Sequence, residues 1–242
     1  MTVKELKAQL DKEYSYRIEM HAHTHPVSPC SEVTAAQLAE IYSKKDYDAI
    51  VLTNHYSLDL CPDMDKESAA DMHIAAYEEL KAECTKYGMS VILGSEVRFT
   101  ENHNDYLIYG VDRDILTEVF DYFDKGLEAY RTEVKLPNSV FLQAHPFRNG
   151  MVRANPELLD GVEVFNMHPH HNSRVGLAAK FAKENGFDII TSGSDFHHPN
   201  INHEGVSALR TRVLPKDSFE LAEILKSGDY LLEVSGSSLI LA

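Results

Sequence analysis

Five of the short apolar runs in this chain lead into residues for which a buried strand has no ordinary use. Met20 leads into His21 and His23, Leu52-Thr53-Asn54 into His55, and Leu93-Gly94-Ser95 into Glu96. Leu142-Gln143-Ala144 leads into His145, and Thr191-Ser192-Gly193-Ser194 into Asp195 and His197. The runs cover residues 16–20, 49–53, 90–99, 106–111, 140–144, 161–166, 188–192 and 206–212, several of them rich in Val and Ile. Between them, residues 34–45, 69–87, 116–130, 173–185 and 218–227 read as helices, three of them followed by Gly88, Gly186 and Gly228. Strand–helix alternation predicts a largely parallel α/β sheet with helices outside. Seven or eight such units in 242 residues, with no linker or repeat, predict one domain over residues 1–242 and a closed or distorted barrel. In such a barrel the C-terminal strand ends converge on one mouth, so distant residues share one site.

The segment EMHAHTH, residues 19–25, carries the sharpest chemistry. A strand has a side-chain period of two, so His21, His23 and His25 project from one face. Metal binding is the main use for such a group. Asp195 and His197 repeat the i, i+2 spacing near the other end of the chain. Glu96 lies in an apolar run, where a carboxylate is costly unless it is paired or bound to metal. It pairs with Arg98 on the same face or bridges two ions. His55 and His145 complete a donor set suited to zinc, manganese or iron. His103 and Asp105, two apart before the next run, compete for one further ligand position. His168, His170 and His171 form a polar cluster that is either an exposed loop or a substrate contact. Arg148, three residues past His145, is placed to bind a phosphate oxygen or is an ordinary surface arginine.

A formal net charge of -15 argues against a sequence-independent nucleic-acid binder, which needs a basic face. It is compatible with a small phosphate ester, because bound cations reverse the local sign. Three widely spaced cysteines, Cys30, Cys61 and Cys84, suit a reducing cytoplasm better than a disulfide framework. The first residues are charged and lack an apolar signal core, and no run approaches the ~20 apolar residues of a membrane span. A cytoplasmic protein is therefore expected. Phosphate-binding glycine loops, a GxSxG elbow and a HExxH helix are absent from the sequence.

Taken in order, HAHTH, TNH, GSEV, AHPFR, GVEVFN and GSDFHHP resemble the PHP (polymerase and histidinol phosphatase) superfamily, from His21 to Pro199. The resemblance implies a distorted (β/α)7 TIM-like barrel with two or three divalent ions (Zn, Mn or Fe) at the strand C-termini. It implies metal ligands at His21, His23, His55, Glu96, Asp105, His145, Asp195 and His197, with Glu96 bridging. His25 has no part in the pattern. Asn54 stands where the family has an aspartate. The family's SDG aspartate is missing from SPCSE, so Glu32 replaces it or the third ion is held differently. The implied activity is hydrolysis of a small phosphate ester by a metal-activated hydroxide. His55 or His197 would protonate the leaving oxygen, Arg148 would neutralise charge, and Arg148, Asn166 and His168 would bind substrate. A nucleic-acid polymer is not expected as a substrate. Two other readings stay open: a decayed metal-binding or regulatory module, motivated by Asn54 and the missing aspartate, and a C–N hydrolase of the amidohydrolase type.

Overall fold

In the computed structural model, which describes residues 1–199, 204–236 and 238–241, the apolar runs become strands of two six-stranded mixed sheets. The first contains β1 (Tyr16–Ala22), β2 (Ala49–Leu52), β4 (Ser90–Leu93), β10 (Ser207–Thr211), β11 (Leu231–Val234) and β12 (Ser238–Leu241), in the order β12-β11-β10-β1-β2-β4. The second contains β3 (His55–Tyr56), β5 (Ser95–Val97), β6 (Tyr106–Tyr109), β7 (Val140–Gln143), β8 (Gly161–Asn166) and β9 (Ile189–Gly193), in the order β3-β5-β6-β7-β8-β9. The helices are α1 (Val3–Glu13), α2 (Ala35–Ser43), α3 (Lys66–Thr85), α4 (Arg113–Phe120), α5 (Leu127–Glu133), α6 (Val175–Asn185) and α7 (Ser218–Ser227).

The sheets meet where two strands bend. β2 runs into β3 across Thr53 and Asn54, and β4 runs into β5 across Gly94. A side chain at Gly94 has no room, since an added Cβ would lie 2.8 Å from Val51 Cγ1 and 2.9 Å from Thr53 Cγ2. On the other side the chain beyond β9 touches the end of β1 through one parallel bridge, Ala22–Phe196. Phe196 N donates to His21 O at 3.1 Å and His23 N donates to Phe196 O at 3.1 Å. Among the described residues no ladder closes the sheets, which are joined at the bends and by the Ala22–Phe196 bridge. Nor is the pairing as parallel as expected. β6 is antiparallel to both β5 and β7, and β10, β11 and β12 form antiparallel pairs that continue from β1.

The reversal of β6 matters for the site. A parallel strand delivers its last residues to the mouth, whereas β6 delivers the residue before its first, Asp105. The apolar alternation of a run is the same in either direction, so direction is not encoded in it.

The core has three buried layers. Ile18, Met20, Val51, Ile92, Leu107 and Leu142 pack between the sheets. Each such side chain, fully buried, contributes about 1.5–3 kcal/mol. Outside the first sheet, Leu38, Ala39 and Tyr42 of α2 and Leu80 and Cys84 of α3 cover Ile50 and Leu52. Alternate residues of β2 thus face two different cores, which is why its run is continuously apolar.

On β1 the parity changes. Ile18 and Met20 face the layer between the sheets, but Ala22 faces the outer one. The register shifts between Glu19 and Ala22, where three steps on β1 oppose two on β2. This bulge turns His21 and His23 to the inward side that Ile18 and Met20 occupy below.

Several elements differ from the sequence expectation. The helix expected over residues 116–130 is two, α4 and α5, separated by turns and by Gly126 at φ 89°. α1, held by a Thr2–Glu5 capping box, buries none of its residues, and no apolar burial pattern announced it. β3, β11 and β12 are short strands beyond the expected runs. No helix among the described residues is long and apolar enough to cross a membrane.

Candidate metal centre

Glu96 is the hub. Its Oε2 lies 3.3 Å from His21 Nε2, 3.4 Å from His23 Nε2 and 2.9 Å from His55 Nδ1, and its Oε1 lies 3.1 Å from His145 Nε2. Asp195 Oδ1 lies 3.5 Å from His21 Nε2 and 3.4 Å from His23 Nε2. Residues from β1, β3, β5 and the ends of β7 and β9 therefore share one buried site, as the strand-end pattern predicts. Groups suited to an ion are His21–His23–Glu96, His23–His55–His197 and His55–Glu96–Asp105.

The donors fit a divalent cation. His21 Nε2, His23 Nε2, Glu96 Oε2 and Asp195 Oδ1 are buried and have no hydrogen-bond partner among the described residues. Unsatisfied buried polar atoms are costly and rare, and four in one place call for an explanation. A tetrahedral ion with ligands at about 2.1 Å sets its donors about 3.4 Å apart. The four distances between these histidine and carboxylate atoms are 3.3, 3.4, 3.5 and 3.4 Å.

The electrostatics match. Burial opposes the charged form of Glu96, but the rings of His21 and His55 hold its carboxyl well below the ordinary range. Asp195 is likewise lowered against its burial, by Arg148 and His21. Burial would depress His21, yet the charges of Glu163, Glu96 and Asp195 raise it well above its usual value. His23 is pushed well below by burial and by the neighbouring His197 and His55 rings. A proton on His21 thus stands where a cation would.

Two ligand candidates carry local strain. His145 has φ 31° and Asp195 φ 53°, left-handed conformations uncommon for non-glycine residues. Each costs on the order of 1–3 kcal/mol and persists because surrounding bonds fix it. His145 N donates to Glu163 Oε2 at 3.1 Å, and the Asp195 carboxylate accepts from Asn166 Nδ2 at 3.2 Å and from Arg148.

Glu163 and Glu19 are site-building residues that the sequence reading left without roles. Glu163 Oε1 accepts from His21 Nδ1 at 2.8 Å, the outer hydrogen bond that fixes a ligating histidine's tautomer and orientation. Gly193 lies over this pair, and an added Cβ would collide with His21 Cβ and lie 2.5 Å from Glu163 Oε1. Glu19 Oε1 accepts from His21 N and Ser194 N, both at 3.0 Å, and its Oε2 accepts from Tyr42 Oη at 2.9 Å. It ties the β1 bulge to the chain that presents Asp195. The signal for both was a carboxylate inside an apolar run, the signal that had picked out Glu96.

Several expectations change. Asp105, buried, is at the site, while His103 is exposed, so Asp105 is the candidate ligand of the two. Its carboxylate is held by Arg98, Nε to Oδ1 at 2.7 Å and Nη2 to Oδ2 at 2.9 Å, so Arg98 pairs with Asp105 and not with Glu96. His25 is exposed. Glu32 is 68% exposed at its side chain and pairs with His198 at 3.4 Å, so it does not replace the missing aspartate.

Asn166 was expected to bind substrate. Instead its Nδ2 donates to Glu163 and Asp195, and its Oδ1 accepts from Arg148 at 3.0 Å and Ser173 at 3.1 Å, so the protein itself uses the amide. Asn54 is a structural pin. Its Oδ1 accepts from Thr24 N at 2.7 Å and Ser28 Oγ at 3.0 Å, and its Nδ2 donates to Thr24 Oγ1 at 3.0 Å. The amide thus has a use in holding the Thr24–Ser28 turn.

Arg98, Arg148, His55, His168 and His197 line a cavity of about 520 Å³ that opens from the cluster. His197 Nδ1 bonds to the Asp195 carbonyl at 2.9 Å, which leaves Nε2 as its lone-pair nitrogen. Burial lowers His168 to about 3, so it is a neutral ring at ordinary pH. Burial resists ionisation of the Cys30 thiol, but His197 and His55 outweigh it and bring the thiol to about 6.

Solved structures share this architecture. A two-domain protein from Bacteroides vulgatus containing a predicted PHP-like metal-dependent phosphoesterase matches with TM-score 0.59 at 14% identity, over 91% of this chain and 65% of its own. PsfC from Pseudomonas syringae matches with TM-score 0.59 at 14% identity, over 94% of this chain and 91% of its own. The fold is PHP-like. Endonuclease Q, solved with a 27-mer duplex substrate carrying an abasic lesion at its active site, matches with TM-score 0.55 at 13% identity, over 90% of this chain and 58% of its own. No protein-family model matches the chain, and no curated protein does. The match to Endonuclease Q corrects one expectation. That neighbour holds a DNA duplex, so the exclusion of nucleic-acid polymers from net charge fails. Net charge describes the whole surface, while the sign at the cavity is set by the buried carboxylates, the two arginines paired with them and any bound cations.

Proposed function

We propose that the chain is a metal-dependent phosphoesterase. The observation that carries this reading is the quartet of unpartnered donors, His21 Nε2, His23 Nε2, Glu96 Oε2 and Asp195 Oδ1, beside a cavity lined by two guanidiniums. His21, His23, Glu96 and Asp195 would hold one divalent ion, and His55, His145, Asp105 and His197 would complete a second or third position around Glu96. Bound there, divalent ions supply an acidified water and neutralise charge developing on the transferred group.

The chain's own residues prepare that chemistry. Glu163 holds His21 with Nε2 turned inward, and Glu19 keeps the two i, i+2 pairs at a fixed separation. Arg148 is anchored by Asp195 and Asn166 at the cavity wall, and Arg98 by Asp105. Both arginines favour a phosphate over a neutral amide. His197 has Nδ1 committed to the Asp195 carbonyl, so holding an ion through Nε2 suits it better than delivering a proton.

The test is a panel of phosphomonoesters together with a DNA duplex carrying an abasic site, run with Mn²⁺ or Zn²⁺ and with chelator. Chelator-sensitive release of phosphate or cleavage of the strand is expected. Metal-replete protein that hydrolyses amides and no phosphate ester would sink the proposal.

A further inference from the structure

Arg174 stands at the start of α6 in an unusual backbone conformation. Its φ is 46° and its ψ 53°, in the left-handed region that a long side chain rarely adopts. Arg174 O accepts from Leu177 N at 2.7 Å and Ala178 N at 3.1 Å, so the first turn of the helix holds the strain in place. The Arg174 guanidinium crosses to the neighbouring loop. Its Nη1 donates to Phe147 O and its Nη2 to Asn149 Oδ1, both at 2.6 Å. Those two acceptors belong to the residues on either side of Arg148.

Ser173, buried beside Arg174, reaches Arg148 by a second route. Its Oγ donates to Asn166 Oδ1 at 3.1 Å, the oxygen that accepts from Arg148 Nη2 at 3.0 Å. The Phe147 ring adds an edge contact to Phe181 of α6, with centroids 5.9 Å apart. Arg148 is thus held through both flanking residues and through its own guanidinium by the start of α6. Arg148 Nε is buried and has no partner among the described residues, so its donors are not all spent on the protein. Arg148, Asn149 and Met151 line the cavity on one loop, and His168 and His171 line it on another, the loop that ends at Arg174. Arg174 braces these two walls against each other.

We infer that Arg174 is a positioning residue for phosphate binding, acting through Arg148 by fixing the loop that presents it to the cavity. The inference rests on the proposed reading of Arg148 as a phosphate contact and deepens it. Arg174 is itself exposed and outside the cavity lining, so its own charge is screened by solvent, while its two bonds act on loop geometry. An arginine held in place beforehand loses less freedom when an anion binds.

The experiment is a double-mutant cycle on zinc-loaded protein, with inorganic phosphate as the probe and zinc content and circular dichroism as controls. Arg174→Met should weaken phosphate binding by about fivefold to tenfold, the lower part of the range for two hydrogen bonds because Arg174 is exposed. In the Arg148→Met background the same substitution should change nothing further. In metal-free protein, Arg174→Met should also speed amide exchange across residues 147–151. An equal loss in both backgrounds, no loss in either, or unchanged exchange would overturn the positioning role and leave Arg148 at the phosphate site. Wild-type phosphate affinity in Arg148→Met would overturn the reading of Arg148 and the inference with it.

Discussion

Replacing Glu163 with glutamine tests the metal centre without touching a proposed ligand. Three donors converge on this carboxylate: His21 Nδ1 at 2.8 Å, Asn166 Nδ2 at 2.9 Å and His145 N at 3.1 Å. Glutamine has the same shape but one oxygen and one NH2, so either orientation fails. With its oxygen towards His21, the NH2 meets two other N–H groups, and leaving buried donors unpaired costs about 1–3 kcal/mol. With the NH2 towards His21, Nδ1 must accept, the proton moves to Nε2, and the lone pair needed by an ion is gone. Outer partners of ligating histidines are worth about 10–100-fold in metal affinity, or roughly 1.4–2.7 kcal/mol.

The pH dependence adds a signature. His21 is raised well above its usual value, with Glu163 the largest contributor against burial, so a cation must displace a proton there. Wild-type affinity should therefore climb as pH rises towards that raised value. Glu163→Gln removes the contribution, so its affinity should climb less steeply, and its deficit should be largest at high pH. Competition against a chelator at several pH values, with circular dichroism to confirm folding, measures both effects. A folded Glu163→Gln that binds zinc within about threefold of wild type at every pH would refute the role assigned to the His21–Glu163 bond.

Three further outcomes follow from the same geometry. Arg148→Met should lower kcat/KM for a phosphate ester by about 10–150-fold, the worth of a hydrogen bond to a charged group, with little change in metal content; equal kinetics would remove Arg148 from the phosphate site. Buried His73, whose Nε2 bonds to Asn54 O at 3.0 Å, is lowered to about 4 by burial. Its contribution is whole above its unfolded value near 6.5 and is lost as pH falls towards 4, so at pH 5 the wild type should have lost about 2 kcal/mol from this group, and His73→Gln none, by urea unfolding. Zinc at about 100 times its dissociation constant should add about 2.7 kcal/mol and raise Tm by roughly 5–10 °C, and an unchanged Tm would argue against an ion bound to the folded state alone.

How far the sequence discloses this structure depends on what kind of information each feature needs. Ligand candidates are visible because histidine, glutamate and aspartate are chemically out of place at the ends of apolar runs. Gly126 could have signalled the break between α4 and α5, since glycine weakens a helix interior. The direction of β6 is another matter, because Tyr-Leu-Ile-Tyr reads the same either way and only the pairing partners decide it. The β1 bulge is similar. Strict alternation would have put His21 and His23 opposite Met20, and the extra residue that prevents this is set by Glu19 meeting Ser194 from the far end of the chain. Asn166 went the same way: its position at a strand end is legible, but its amide is occupied by partners that only the fold brings near.

The failed exclusion of nucleic acid shows where composition stops being informative. A net charge of -15 is spread over the entire surface, and exposed charges farther apart than about 8 Å are screened at physiological salt. Under the proposed reading a scissile phosphate would instead approach the cluster of Glu96, Glu163, Asp105 and Asp195, with Arg98 and Arg148 paired to two of them. With neutral imidazoles those groups sum to a negative site that repels phosphate. Two divalent cations reverse the sign, and a third strengthens it. The same acidic cluster thus repels substrate when empty of metal and attracts it when loaded, so phosphate affinity should depend on metal occupancy far more than on the charge of the rest of the chain. Phosphate binding measured with and without zinc, in the wild type and in variants neutralising remote surface carboxylates, separates the two. If the remote variants gain affinity and zinc adds none, the local account is wrong.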